Sequence, residues 1–344
     1  MGCAATLVVV SSAQALTDLL VCSINTSTVF RYDGQTGASK GVFVSPGAGG
    51  LSWPTGIVRG PDGRIFVASS LTNAVIRYSP NTGTPLGTFA TGGGLAFPQA
   101  IRFGPDGNLY VGGSGTRVIR YNGVTGASMG PFTNGGPLSG AFGLVFGADG
   151  NLYVSSFSTN QILRYSGATG DFIDVFATDP NLAAPYGLTF GPDGDLYVAN
   201  GSGSSVIRFN GTTGASMGEF VTPGSGGLGT AVGIAFGPDG HLYVSSNTSA
   251  NVLRYNGTNG NFIDSFVAPG SGGLSGPAFF AFVPSCGNGD VNVSGATNVD
   301  DIDDLANVLI GVDTNPAHVA AADVNCDGFS DGRDVDTFVR LLVP

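Results

Sequence analysis

The sequence predicts an all-β six-bladed β-propeller whose N- and C-terminal strands close the ring, followed by a small all-α module of two loop-helix units. Three observations carry this: a motif that returns every 43–46 residues, glycine at 58 of 344 positions, and an acidic C-terminal segment whose carboxylates are regularly spaced. Charged residues make up only 11% of the chain, too few for long solvated helices, while 42% hydrophobic residues suffice for a large core. The glycines therefore mark tight turns between strands, not disorder. With 13 basic against 24 acidic residues the formal charge is −11, which argues against nucleic acid or an anionic membrane surface as partner.

Residues 1–15 read as a secretion signal. Ala4 to Val10 is apolar and Ala13-Gln14-Ala15 supplies a small-x-small cleavage site, although no Lys or Arg precedes Arg31. The same apolar stretch also suits a first β-strand, and it falls far short of the roughly 20 residues that span a bilayer. No membrane span is expected elsewhere. A signal implies a secreted, extracellular or cell-surface protein in an oxidising compartment, where removal of Cys3 leaves Cys22, Cys286 and Cys326. An odd number of cysteines predicts one free, buried thiol.

Residues 16–284 carry the repeat. Arg-aromatic pairs occur at Arg31-Tyr32, Arg77-Tyr78, Arg120-Tyr121, Arg164-Tyr165, Arg208-Phe209 and Arg254-Tyr255. A second motif, Gly-(Pro/Ala)-Asp-Gly-x-(Leu/Ile)-aromatic-Val, begins at Gly60, Gly104, Gly147, Gly191 and Gly237, 16 or 17 residues before an Arg of the first series. Pro presets the first turn position and Gly accepts positive φ, so each motif is a hairpin signal. In the copy from Pro98, strands are expected at Ala100–Phe103, Leu109–Gly112, Val118–Tyr121 and Ser128–Phe132. A fixed period of four strands in 40–50 residues is that of a propeller blade. The first motif occurs six times and the second five, because Leu19 to Ser23 matches a second strand with no first. Phe279 to Val283 matches a first strand with no second, so it should complete the N-terminal blade, with Phe282 opposite Leu19, and remove two exposed edges.

Strand alternation places each repeated Arg on the same face of the disc as a turn Asp. Arg77, Arg120, Arg164, Arg208 and Arg254 are expected to pair with Asp62, Asp106, Asp149, Asp193 and Asp239, or with turn carbonyls, as a structural device repeated in every blade. The opposite face, around the channel, is nearly uncharged, with loops such as Asn25-Thr-Ser-Thr and Gly201-Ser-Gly-Ser. Trp53, Phe97, Phe142, Tyr186 and Phe279 fall near the starts of the innermost strands. Together with Ser, Thr and Asn they could take a glycan or peptide ligand, but a plug that packs under the connectors is the reading their positions favour.

The strings Pro54-Thr-Gly-Ile-Val-Arg-Gly-Pro-Asp-Gly-Arg-Ile-Phe-Val-Ala and Gly233-Ile-Ala-Phe-Gly-Pro-Asp-Gly-His-Leu-Tyr-Val-Ser-Ser resemble the NHL and streptogramin-lyase-like propellers. That resemblance implies the fold and leaves function open, since the architecture hosts lyases, lactonases and binding modules. Streptogramin lyases use a histidine and an acidic metal site, amidating lyases several histidines around zinc, and lactonases calcium held by Glu, Asn and Asp. Residues 16–284 hold one histidine, His241 in a turn, and one glutamate, Glu219 on an outer strand. No catalytic set is assembled from these, so a binding role is favoured over a lyase or hydrolase.

Residues 285–344 carry 11 aspartates against Arg333 and Arg340, so −9 of the total charge lies there. In one stretch Asp323, Asn325, Asp327, Gly328, Asp331 and Asp334 occupy positions 1, 3, 5, 6, 9 and 12 of a calcium loop. An earlier copy places Asp290, Asn292, Ser294, Gly295, Asn298 and Asp301 at the same positions, with neutral Ser294 weakening the site. Helical patterns follow each loop: Ile302, Leu305, Val308 and Leu309, then Val335, Phe338, Val339 and Leu342. Residues 287–343 resemble a dockerin type I domain. The resemblance implies folding on calcium and docking to a cohesin-like partner through the helices and loop pairs Val299-Asp300 and Gly332-Arg333, which differ from each other. A Cys286–Cys326 disulfide is expected to staple this small module. The whole reads as a secreted binding or scaffold protein, the propeller recognising a glycan or protein and the tail attaching it.

Overall fold

The computed structural model describes residues 17–285, the helix at 301–309, and positions 318, 322, 334 and 335. Among these residues, 24 strands form six four-stranded antiparallel sheets, the blades of a propeller. Blade 2 runs outward from the channel as Pro54–Arg59, Ile65–Ser69, Ala74–Tyr78 and Pro85–Thr91, and blade 3 as Pro98–Phe103, Leu109–Gly113, Ile119–Tyr121 and Ser128–Pro131. Blades 4, 5 and 6 repeat this order from Ala141, Pro185 and Ala231. Blade 1 takes its inner strand from the far end of the chain: Pro277–Pro284 pairs with Thr17–Ser23, followed by Thr28–Asp33 and Ser39–Val44. Ser23 Oγ donates to the Ser275 carbonyl at 2.8 Å and the Ile24 amide to Gly276 O at 3.0 Å, extending that junction beyond the strands. Leu19 and Phe282 share one apolar cluster.

The blades form where the repeated turns bend the chain. In Gly-Pro-Asp-Gly the Gly107 amide donates to Gly104 O at 2.9 Å, and Asp106 Oδ1 accepts the Asn108 amide at 3.0 Å. The second repeated turn follows the third strand, where the sequence places a turn at Asn122-Gly123. There Asn122 Oδ1 accepts the amides of Val124 and Thr125 at 3.0 and 2.8 Å, an Asx-turn that carries the chain to Gly126. Gly126 has φ +72°, and a Cβ on it would stand 1.8 Å from the Phe89 carbonyl oxygen of the preceding blade. Gly37, Gly83, Gly170, Gly214 and Gly260 meet their preceding blades the same way, so a Thr-Gly or Asn-Gly step seals each blade interface.

Second strands of blades 2 to 6 are buried at every position, as expected for strands covered on both faces, while outer strands are largely exposed over their first halves. Each second-strand aromatic sits edge-on between the outer-strand Phe of its own blade and the inner-strand Phe of the next. Tyr110 lies 4.8 Å from Phe132 and 5.1 Å from Phe146 between ring centres. Phe282, from the terminal strand, takes the same place beside Tyr243 at 5.0 Å. Such pairs add about 0.5–1.5 kcal/mol each beyond area burial.

The described residues fall into two compact units, Asp18–Val283 and one that takes up the chain from Pro284. In the latter, the helix Asp301–Leu309 buries Leu305 and Val308 with Ala322, and Leu309 packs against them. Ile302, expected on the same face, is 48% exposed. Asp334 is buried. The remaining expected calcium ligands Asp290, Asn292, Ser294, Asn298, Asp323, Asn325, Asp327 and Asp331, the side chain of Asp301, the pair Cys286 and Cys326, and residues 1–15 lie outside the described residues. No helix among the described residues is long and apolar enough to cross a membrane.

Candidate binding site in the central channel

Most of the repeated Arg residues are neutralised by Asp residues of the blades, which limits the charges that remain for function. Arg208 meets Asp193 at 2.8 Å and Asp195 at 2.7 Å, Arg254 meets Asp239 at 3.3 Å, and Arg120 meets Asp106 at 4.0 Å. Two expected pairs differ. Arg164 binds Asp174 through Nε at 3.1 Å and Nη2 at 2.6 Å, because Asp174 stands directly opposite it on the outer strand. Arg77 faces Gly87 in that register and lies over the Phe89 ring at 5.6 Å, while Asp62 pairs with Arg64 at 3.3 Å. Blade 1 lacks the turn Asp, and buried Asp18 substitutes, 3.3 Å from Arg31 and 2.7 Å from Lys40.

The turn carboxylates have a further partner that the sequence reading missed. Tyr110, Tyr153, Tyr197 and Tyr243 donate their hydroxyls to Asp106, Asp149, Asp193 and Asp239 at 2.8–3.0 Å. Burial works to raise Asp106 and Asp149, but hydrogen bonds from Asn108 and Asn151, then from the tyrosines, outweigh it and hold both below the ordinary carboxylate value. These groups are committed to the scaffold. Cys22 is a free thiol, fully buried, and its pKa is raised by desolvation, so it is poorly reactive.

Along the axis, two cavities are lined by the described residues of the inner strands. The first, about 220 Å³, is lined at the strand starts by Trp53, Phe97, Phe142, Tyr186, Thr55, Gln99, Thr230, Asn247 and three aliphatic residues. Four of the five expected aromatics thus meet. Trp53 and Phe97 stack edge-on at 5.1 Å; Phe142 lies 4.4 Å from Phe157 and 5.6 Å from Tyr186. Trp53 and Phe97 hold left-handed backbone, φ 58° and 47°, costly for bulky residues. The Trp53 amide donates to Ser27 Oγ at 3.2 Å and the Phe97 amide to Asn73 Oδ1 at 2.7 Å, which fixes both in place. Burial raises the Tyr186 phenol above its ordinary value, so it stays neutral. Gln99 is 7% exposed, and no described residue hydrogen-bonds its amide.

Phe279 is placed elsewhere. Counted from the start of each inner strand, it occupies the position held by Gly56, Ala100, Gly143, Gly187 and Gly233. Its ring reaches past blade 6 to within 3.2 Å of where a Cβ on Gly187 would stand, and packs against clusters from both sides of the ring. It lines the second cavity, about 300 Å³, formed by the later halves of the inner strands. Aligning the repeats would have exposed Phe279 and Gln99 as departures from the blade pattern.

No protein-family model and no curated protein matches the chain. Among solved structures it is similar to a protein of unknown function from Bacteroides caccae, with TM-score 0.63 and 15% identity over 79% of this chain and 100% of that one. A nidogen/laminin complex gives TM-score 0.62 and 18% identity, covering 78% and 100%. Virginiamycin B lyase from Staphylococcus aureus gives 0.50 and 20%, covering 61% and 68%. At these identities the likeness establishes the fold: a six-bladed β-propeller with structural neighbours of streptogramin-lyase type.

Proposed function

We propose that this is a secreted binding protein: the propeller is a rigid recognition disc whose channel mouth seats part of an uncharged glycan or peptide, and the tail is a calcium-dependent, dockerin-like attachment module for a cohesin-like partner. The observation that supports the disc is the cavity between Trp53, Phe97, Phe142 and Tyr186, lined also by Gln99, whose side-chain amide has no hydrogen-bond partner among the described residues. Aromatic faces take the apolar side of a sugar ring or a side chain, and Gln99, Thr55 and Asn247 supply directional polar contacts. At about 220 Å³ it is smaller than the roughly 300–1,000 Å³ that enclose a whole ligand, so it seats one ring or one side chain. Among the described residues its lining is apolar, aromatic, hydroxyl and amide groups, which suits recognition more than acid–base catalysis.

Trp53 is the only tryptophan, so its emission reports this cavity directly. Titration with neutral oligosaccharides and peptides should shift that emission saturably, and Q99A should weaken the response about tenfold; no shift with any neutral probe refutes the disc's role. For the tail, the loop spacing supports calcium through hard oxygen ligands. Equilibrium dialysis should find one calcium ion bound per loop, with D327N losing the tighter one. Chelator should unfold the tail and leave the propeller's melting transition in place.

A further inference from the structure

The second cavity holds a charge that the scaffold does not neutralise. Arg102 occupies the inner-strand position filled by Val58, Val145, Thr189 and Ala235 in other blades. It lines a space otherwise bounded largely by apolar groups, including Ile101, Leu144, Phe236 and Phe279. Its sole hydrogen bond among the described residues is a long one, Nε to the Leu144 carbonyl at 3.5 Å, and no carboxylate of a described residue lies within ion-pair distance. The repeated arginines nearer the rim, by contrast, mostly have an Asp each. Burial lowers the Arg102 pKa from its ordinary value, yet a guanidinium remains charged at neutral pH. Arg59 also lines this cavity.

A guanidinium held in an apolar pocket without its planar partner leaves donors unpaired, and a carboxylate matches their fork geometry in a bidentate pair. The volume, about 300 Å³, reaches the lower end of small-molecule sites. We propose that this half of the channel binds a small organic anion, a carboxylate carried on an apolar or aromatic body, with Arg102 taking the carboxylate and Phe279 packing against the body. The site is separate from the neutral-ligand cavity and does not depend on it.

The test uses the full-length chain and phenylacetate as probe, with inorganic phosphate and benzyl alcohol as controls for charge without an apolar body and for body without charge. Calorimetric titration should show saturable phenylacetate binding and at least tenfold weaker binding of both controls. R102M should lose at least tenfold in phenylacetate affinity. In the absence of probe R102M should melt no lower than the parent chain, because it removes a half-buried charge that no carboxylate of a described residue neutralises. R102K, which keeps the charge and loses the fork, should fall between. Equal binding by R102M, tighter binding of phosphate or benzyl alcohol than of phenylacetate, or no binding of phenylacetate each overturns the proposal. A melting temperature for R102M several degrees below the parent also overturns it, by showing that Arg102 serves the fold.

Discussion

From blade to blade, the turns and second strands repeat nearly the same residues, whereas the inner strands change at the positions that line the axis. The turn Asp, the second-strand aromatic and the third-strand Arg return in blades 2 to 6, and each instance bonds or stacks within the scaffold. On the inner strands, Gln99, Arg102 and Phe279 each occur once, where other blades place different groups. A residue demanded by blade packing must recur with the packing, while a ligand contacts each blade differently. The recurrent groups are therefore the scaffold, and the singular ones on the axis are where binding is expected.

Glycine gives the sharpest way to break the recurrent side. G126A forces a Cβ to within 1.8 Å of the Phe89 carbonyl in a left-handed backbone, so the interface must move. A loss of about 3 kcal/mol or more in urea unfolding is expected. Gly130 also has positive φ, 83°, but a Cβ there meets nothing within 4 Å, so G130A should cost only about 1 kcal/mol. Equal losses would show that backbone strain alone, not the blade contact, sets the cost.

The phenols provide the next effect. Burial pushes Tyr110, Tyr121 and Tyr165 up to about 12, above the roughly 10 of an unfolded tyrosine. The neutral form is favoured in the fold, so this stability is fully present below pH about 10 and is lost as pH rises through about 12. Phenolate absorbance and the far-ultraviolet signal of the sheet should change together in that window. Titration of all the phenols near pH 10 with the sheet intact would remove the packed-ring picture.

The smallest effect distinguishes complete blades from incomplete ones. Y153F deletes the hydroxyl that Asp149 accepts at 2.9 Å and should cost about 1 kcal/mol. Blade 2 carries Phe66 where blades 3 to 6 carry Tyr, leaving Asp62 without that donor. F66Y should therefore stabilise by a few tenths to about 1 kcal/mol, as measured by the denaturation midpoint. Destabilisation by F66Y would show that blade 2 has adapted its packing to the phenyl ring.

Much of the scaffold was legible because its signals are local. The Gly-Pro-Asp-Gly turn and the Arg-aromatic step each act within a few residues, and they located the blades to within about two residues of the observed strands. The turn at Asn122-Gly123 was legible as a hairpin, but the part played by the Thr-Gly step that ends it was not, since that depends on a carbonyl in the preceding blade. The choice of Asp174 over Asp149 by Arg164 was not legible, because it follows from cross-strand register through a bulge. Four of the candidate aromatics converge on one cavity, while Phe279 lines the other, at a level that alignment of the repeats assigns to a small residue.

By itself the sequence determined the number of blades, the hairpin turns and the pairing of the chain ends, because hydrogen-bonding turns and alternating burial act over short stretches of chain. Tertiary structure alone decided what faces the axis. Ring closure brings six inner strands, far apart in the chain, around one channel, and the space left by glycines in some blades is filled by Phe279 from another. Whether Arg102 finds a carboxylate depends on neighbours from distant blades, and no local pattern encodes that absence.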